Sequence, residues 1–108
     1  MNSGDYREIT YTFTETNGVA ATITSRVAKF LAPTGQELSG DIGPYANDIR
    51  VNGFSSARWT DNVYLPPEVV QKARAQGLSS TILRTTFKGN DDNGNDVRTI
   101  AELTINIP

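Results

Sequence analysis

Val97-Arg98-Thr99-Ile100-Ala101-Glu102-Leu103-Thr104-Ile105-Asn106-Ile107 decides the fold class. Val97, Thr99, Ala101, Leu103, Ile105 and Ile107 fall on one side of an extended chain, and Arg98, Glu102, Thr104 and Asn106 on the other. A period of two is the signature of a strand with one packed and one wet face, as antiparallel sheets require. Ile9-Thr10-Tyr11-Thr12-Phe13-Thr14 repeats the pattern, with Ile9, Tyr11 and Phe13 opposed to three threonines.

The same reading extends along the chain. Asn17-Gly18 supplies residues that tolerate positive φ and suits a turn. Val19, Ala21 and Ile23 continue the inward pattern, and Val27–Leu31 forms a further β-rich stretch. A turn or bulge around Thr24-Ser25-Arg26 separates the two. Pro33-Thr34-Gly35-Gln36 is a turn, and Glu37-Leu38 begins a short return strand. Residues 39–48 are rich in Gly, Pro, Asp and Asn and read as a loop crossing between sheets. Ile49–Val51 is a short strand, Asn52-Gly53 a turn, and Phe54–Leu65 an alternating segment with Ala57, Trp59, Val63 and Leu65 on one side. Thr81–Lys88 carries Leu83, Thr85 and Phe87 on one face, and the loop 89–96 joins it to the last strand.

One helix interrupts the strands, over 67–76. Proline is tolerated in its first turn, Glu68 and Lys72 are spaced i,i+4, and Lys72 and Arg74 complement the dipole at its end. Gly77 is placed as the left-handed stop, followed by the apolar Leu78. Val69, Val70 and Ala73 make a narrow apolar stripe that suits a sandwich edge. The expectation is an all-β, two-sheet antiparallel sandwich of seven or eight strands with one short helix, in a single domain over 6–108 behind a disordered tail at 1–5. A small barrel is the alternative.

Composition narrows function by exclusion. The chain has 108 residues, enough to bury roughly 60–70% of its extended surface around one core. It has no cysteine and no histidine, which removes disulfides, thiolate and imidazole metal sites, the Cys nucleophile and the Ser-His-Asp triad. Ten basic and twelve acidic residues give a net charge of −2, and the basic ones are scattered. Neither nucleic acid nor an anionic membrane is an expected partner. No run of about 18 apolar residues is present. Met1–Asp5 has neither a basic nor an apolar leader region, and no Asn-x-Ser/Thr sequon occurs. The favoured expectation is a segment of a longer secreted chain with Met1 added, rather than an intracellular protein.

Residues 85–97, from Thr85-Thr86-Phe87-Lys88-Gly89 through Asn90-Asp91-Asp92-Asn93-Gly94-Asn95-Asp96 to Val97, resemble the late hairpin of bacterial immunoglobulin-like and fibronectin type III-like modules. The stretch from Asn17 to Gly35 is similar to their early part. The resemblance covers about two-thirds of the chain. It implies a module of a cell-surface, secreted or periplasmic bacterial protein, and it carries over no catalytic residue. The helix at 67–76 is an addition to that pattern, and the missing cysteine pair departs from antibody-type domains.

The candidate sites are few. The 90–96 loop holds three Asp and three Asn, so Asp91, Asp92 and Asp96 are calcium candidates. The loop fails EF-hand spacing: with Gly94 at the sixth position, the first falls on Gly89 and the twelfth on Ile100. A polar Asn-Gly hairpin turn is the competing reading. Tyr45, in a Gly/Pro-rich loop, and Tyr64, on the outward parity, are candidate rings for stacking a sugar. Trp59 shares the parity of Ala57 and Val63 and is expected in the core. Arg58, Asp61 and Glu68 are expected as a small polar cluster near the helix, but no spacing marks a carboxylate pair for glycoside hydrolysis. No nucleophile, base and orienter occur together, and no phosphate loop precedes a helix. The functional expectation is a non-catalytic structural, spacer or protein-interaction module whose partners are neighbouring domains, with a carbohydrate- or calcium-binding module as the alternative. Self-assembly through an exposed edge strand is a third possibility.

Overall fold

The computed structural model describes residues 5–108. It contains six strands and one helix: β1 (Asp5–Thr14), β2 (Ala21–Leu31), β3 (Ile42–Val51), β4 (Ser56–Leu65), α1 (Pro67–Ala75), β5 (Ser80–Asp91) and β6 (Asp96–Asn106). They form two antiparallel sheets, one of two strands in the order β1-β4 and one of four in the order β3-β2-β5-β6. The expected tail lies outside the described residues except for Asp5, which pairs with Leu65.

The strand count is six rather than seven or eight, for two reasons. Residues 21–31 form one strand with a bulge, and Glu37 makes only an isolated bridge to Leu31. The bulge falls between Ile23 and Ser25, in both of the pairings that β2 makes. One extra residue reverses which side chains face inward. Ala21 and Ile23 point in before it, and Arg26, Ala28 and Phe30 pack inward after it. Gly89 sits opposite, where a Cβ would come within 1.9 Å of the Thr22 carbonyl oxygen, so only glycine fits.

Most of the expected loop 39–48 is strand. β3 begins at Ile42 and runs through a cis Gly43–Pro44 bond at the edge of its sheet. A proline is tolerated on an edge because its missing N–H faces away from the neighbour.

The two sheets face one another through two apolar clusters. Ile9, Phe30, Leu38, Leu65, Leu83 and Ile105 fill one end, which α1 closes with Val69 and Ala73. Phe13, Ile23, Ile49, Val51 and Phe87 fill the other. Tyr11 packs against both and reaches Thr85 Oγ1 at 3.1 Å. The helix stops as its sequence dictates. Gly77 takes φ 71°, its N–H donates to the Arg74 carbonyl at 3.0 Å, and Leu78 N–H donates to the Ala73 carbonyl at 2.9 Å.

Candidate functional site

A two-stranded sheet cannot cover a four-stranded one. The uncovered margins become two surface depressions on opposite flanks of the β1-β4 ribbon.

The β4 flank carries the aromatic candidates. Tyr45 of β3 and Tyr64 of β4 are 51% and 40% exposed and line one cleft of about 280 Å³, together with Arg26, Asp61 and Asn62. The bulge delivers Arg26 to this place. Its guanidinium lies 4.6 Å from the Trp59 ring centre and 5.1 Å from that of Tyr45. It donates to Asn47 Oδ1 at 3.0 Å, and Asp61 approaches it at 3.8 Å. The cation is therefore fixed between two rings, an arrangement worth about 0.5–2 kcal/mol. Trp59 is half-buried, stacks on Tyr11 at 5.7 Å and meets Phe87 edge-on. Tyr6 leans on Tyr64 at 5.1 Å and extends the exposed ring surface. Rings beside fixed donors and acceptors are chemically suited to sugar faces and hydroxyls.

The structure separates the other candidates. Arg58 lies on the outward face of β4 and Asp61 on the inward face, while Glu68 is exposed on α1, so the three form no cluster. The three loop aspartates have separate partners. Asp91 Oδ1 accepts the Asn93 and Asn95 N–H groups at 2.9 Å and so shapes the hairpin. Both oxygens of Asp92 are held by Arg50 of β3 at 2.6 Å, and Asp96 accepts from Asn90 at 3.2 Å. The Arg50 guanidinium lowers the Asp92 carboxyl below its usual range. Among the described residues no group of three acidic side chains converges on a cation-sized space. A calcium ion bound through Asp92 would have to displace Arg50.

Two further features have no local signature in the sequence. Glu15, just past β1, accepts N–H bonds from Asn17 and from Phe54, the latter at 3.2 Å, and ties the β1–β2 crossing to the β3–β4 crossing. These bonds, with that from Asn17 the largest, hold its carboxyl below the usual range. Phe54 has φ 52°, is 76% exposed, and lies over Gly18. The second feature is a groove of about 830 Å³ on the β1 flank, between Ile9, Tyr11 and Phe13 of β1 and Thr99, Ala101 and Leu103 of β6. The alternation in 97–107 predicts a packed face there. Thr99 and Leu103 are exposed instead, because no strand stands over them among the described residues.

Among the described residues no helix is long and apolar enough to cross a membrane. No protein-family model and no curated protein matches the chain. Four solved chains are similar to this one. One, described as the X-ray structure of Northeast Structural Genomics Consortium target SoR45, is similar over 99% of this chain and 78% of its own, with a TM-score of 0.65 and 13% identity. At that identity the likeness concerns the fold alone.

Proposed function

We propose that this chain is a non-catalytic immunoglobulin-like module, close to the fibronectin type III pattern, that serves structural and protein-interaction roles within a larger bacterial surface or secreted protein. The sheet order carries this reading. In variable-type immunoglobulin domains strand C′ extends the sheet of C, F and G, while B and E belong to the facing sheet. Taking β1 as B, β2 as C, β3 as C′, β4 as E, β5 as F and β6 as G accounts for both sheets, β3-β2-β5-β6 and β1-β4. Strands A and D have no counterpart among the described residues, and α1 occupies the E–F connection. The absence of His and Cys from the sequence and the separation of Arg58, Asp61 and Glu68 favour binding over catalysis. Sequencing the complete reading frame tests the proposal. Flanking domains are expected, and a frame encoding only these 108 residues contradicts it.

A second reading, carbohydrate binding, is favoured by one observation: Tyr45 and Tyr64 line a single cleft with Arg26, Asp61 and Asn62. A glycan panel followed by amide and Trp59 indole shifts tests it. Shifts confined to β3 and β4 support it, and a silent cleft at millimolar sugar removes it.

A further inference from the structure

The groove beside β1 has the width of one strand. Tyr11 and Phe13 of β1 meet Phe87 of β5 at 5.0 and 4.9 Å, and Trp59 of β4 lies against Arg26 of β2. The ribbon thus stands over β5 and β2. Strands in a sheet are about 4.8 Å apart, so β6 projects one strand width beyond β1. Leu103, on the inward side of β6, is 44% exposed, whereas Ile105, at the helix end, is buried.

The edge of β1 that borders the groove is undefended over Ile9–Thr14; only nearer its start does an inward-facing charge, Arg7, reach across to the Asn106 carbonyl of β6. Natural edges are blunted by proline, lysine, inward-pointing charges or bulges. β3 has Pro44 and register shifts against β2, whereas β1 has no proline or lysine and pairs with β4 over ten unbroken positions. Its outer N–H and C=O groups have no strand partner among the described residues. The groove is also acidic: Glu15, Asp91 and Asp96 line it against one cation, Arg98, while Glu102 is paired with Arg84 at 2.6 Å. These three carboxylates lie where β1 ends and the β5–β6 hairpin turns.

We propose that this groove binds an extended segment of a partner chain, added as a strand to β1. Its apolar side chains at alternate positions sit over Thr99, Ala101 and Leu103, the largest above Ala101, and its basic end lies near Glu15. This is strand addition, in which main-chain bonds supply affinity and alternate pockets supply specificity. The inference rests on the reading of the domain as an interaction module. A second copy does not fit by pairing β1 with β1, because β6 of each copy would then occupy the position of β5 in the other.

The test attaches a nine-residue segment, Lys-Lys-Thr-Val-Thr-Val-Thr-Val-Thr, to the amino end of the full chain through a six-residue Gly/Ser linker. The polarity places its lysines at the Glu15 end when it runs antiparallel to β1. Tethering makes the encounter intramolecular, at about millimolar effective concentration. The expected result is a melting temperature raised by about 4 °C or more, with new hydrogen-exchange protection at the groove-facing amides of β1. A tether of the same composition with its valines in one block gives neither. Leu103→Lys is expected to remove most of the gain, and Thr104→Lys, on the opposite face of β6 and outside the groove lining, to retain it. An alternating tether that leaves β1 exchange unchanged overturns the proposal, as does protection indifferent to Leu103→Lys. A free chain that sediments as a dimer with β1 protected replaces the partner strand by a second copy and also overturns it. Binding of a protein partner elsewhere, with β1 silent, defeats strand addition but leaves the module reading intact. A working tether in a protein whose reading frame has no flanking domain does the reverse.

Discussion

Phe87→Ala should be among the most damaging single changes in this domain, and its magnitude reports on the open groove. The ring is fully buried and meets Phe13 and Tyr11 edge-on at 4.9 and 5.0 Å, with Trp59 at 6.1 Å. Burying a phenylalanine side chain contributes about 1.5–3 kcal/mol, and each well-placed ring pair adds about 0.5–1.5. Truncations of this kind cost about 3–5 kcal/mol, the upper part arising from cavities that stay empty. Phe87 forms part of the groove lining, so water can enter the space it leaves. The expected loss is therefore near the lower end, about 3 kcal/mol. For a domain of this size that lowers the melting temperature by about 12–24 °C. Phe30 is equally buried, but in the end closed by α1, so Phe30→Ala should cost about 1 kcal/mol more through its drier cavity. Urea unfolding followed by far-UV circular dichroism measures both, with unchanged m-values as the check on two-state behaviour. A Phe87→Ala loss below about 1 kcal/mol would refute the packing of β1 and β4 onto β5.

Gly89→Ala forces a Cβ against the Thr22 carbonyl that no rotamer relieves, and should cost about 3 kcal/mol or more; a thermal melt matching the parent would contradict the bulge. Glu15 should titrate below the ordinary glutamate range because the Asn17 N–H, then those of Phe54, Gly18 and Val19, hold its charged form. Its folded pKa is depressed, so its contribution is complete above the unfolded value and is lost as pH falls through the lowered one. Carboxyl-carbon NMR checks this, and Glu15→Gln should flatten that part of the acid limb. Asp92 should likewise titrate low, through the Arg50 hydrogen bonds, and return to the usual range in Arg50→Gln. The 91–96 amides of the parent chain should stay silent to millimolar calcium; a response there counts against the separate partners of Asp91, Asp92 and Asp96. Arg26→Gln removes the cation between Tyr45 and Trp59 and should change Trp59 fluorescence with little change in far-UV signal.

Much of the β architecture is local and therefore legible in the chain. The period-two runs at 9–14 and 97–107, the helix at 67–76 and the Gly77 stop follow from residue spacing and backbone freedom alone. The bulge near residues 24–26 is visible as a break, but its consequence is not. That one residue turns Arg26 inward depends on pairing with β5 and β3, both distant in sequence. Residues 42–48 hide their strand because an edge position tolerates the Gly, Pro and Asp that composition assigns to loops. The six-strand count hides for the opposite reason, since β2 has two locally separate runs joined by pairing on both sides. Tyr45 and Tyr64 are recognisable as exposed rings, yet their convergence depends on β3 and β4 meeting across the sandwich. Alternation marks Leu103 for burial, but burial needs an opposing strand, and whether one exists is a property of the opposite sheet.

Amide hydrogen exchange on the free domain tests the open ribbon most directly. The account predicts protection along the whole of β5, which is paired on both sides, and alternating protection along β1, slow where amides face β4 and fast where they face the groove. Uniformly slow exchange along β1 would show that its outer edge is already paired, and would contradict both the two-stranded sheet and the strand site built on it.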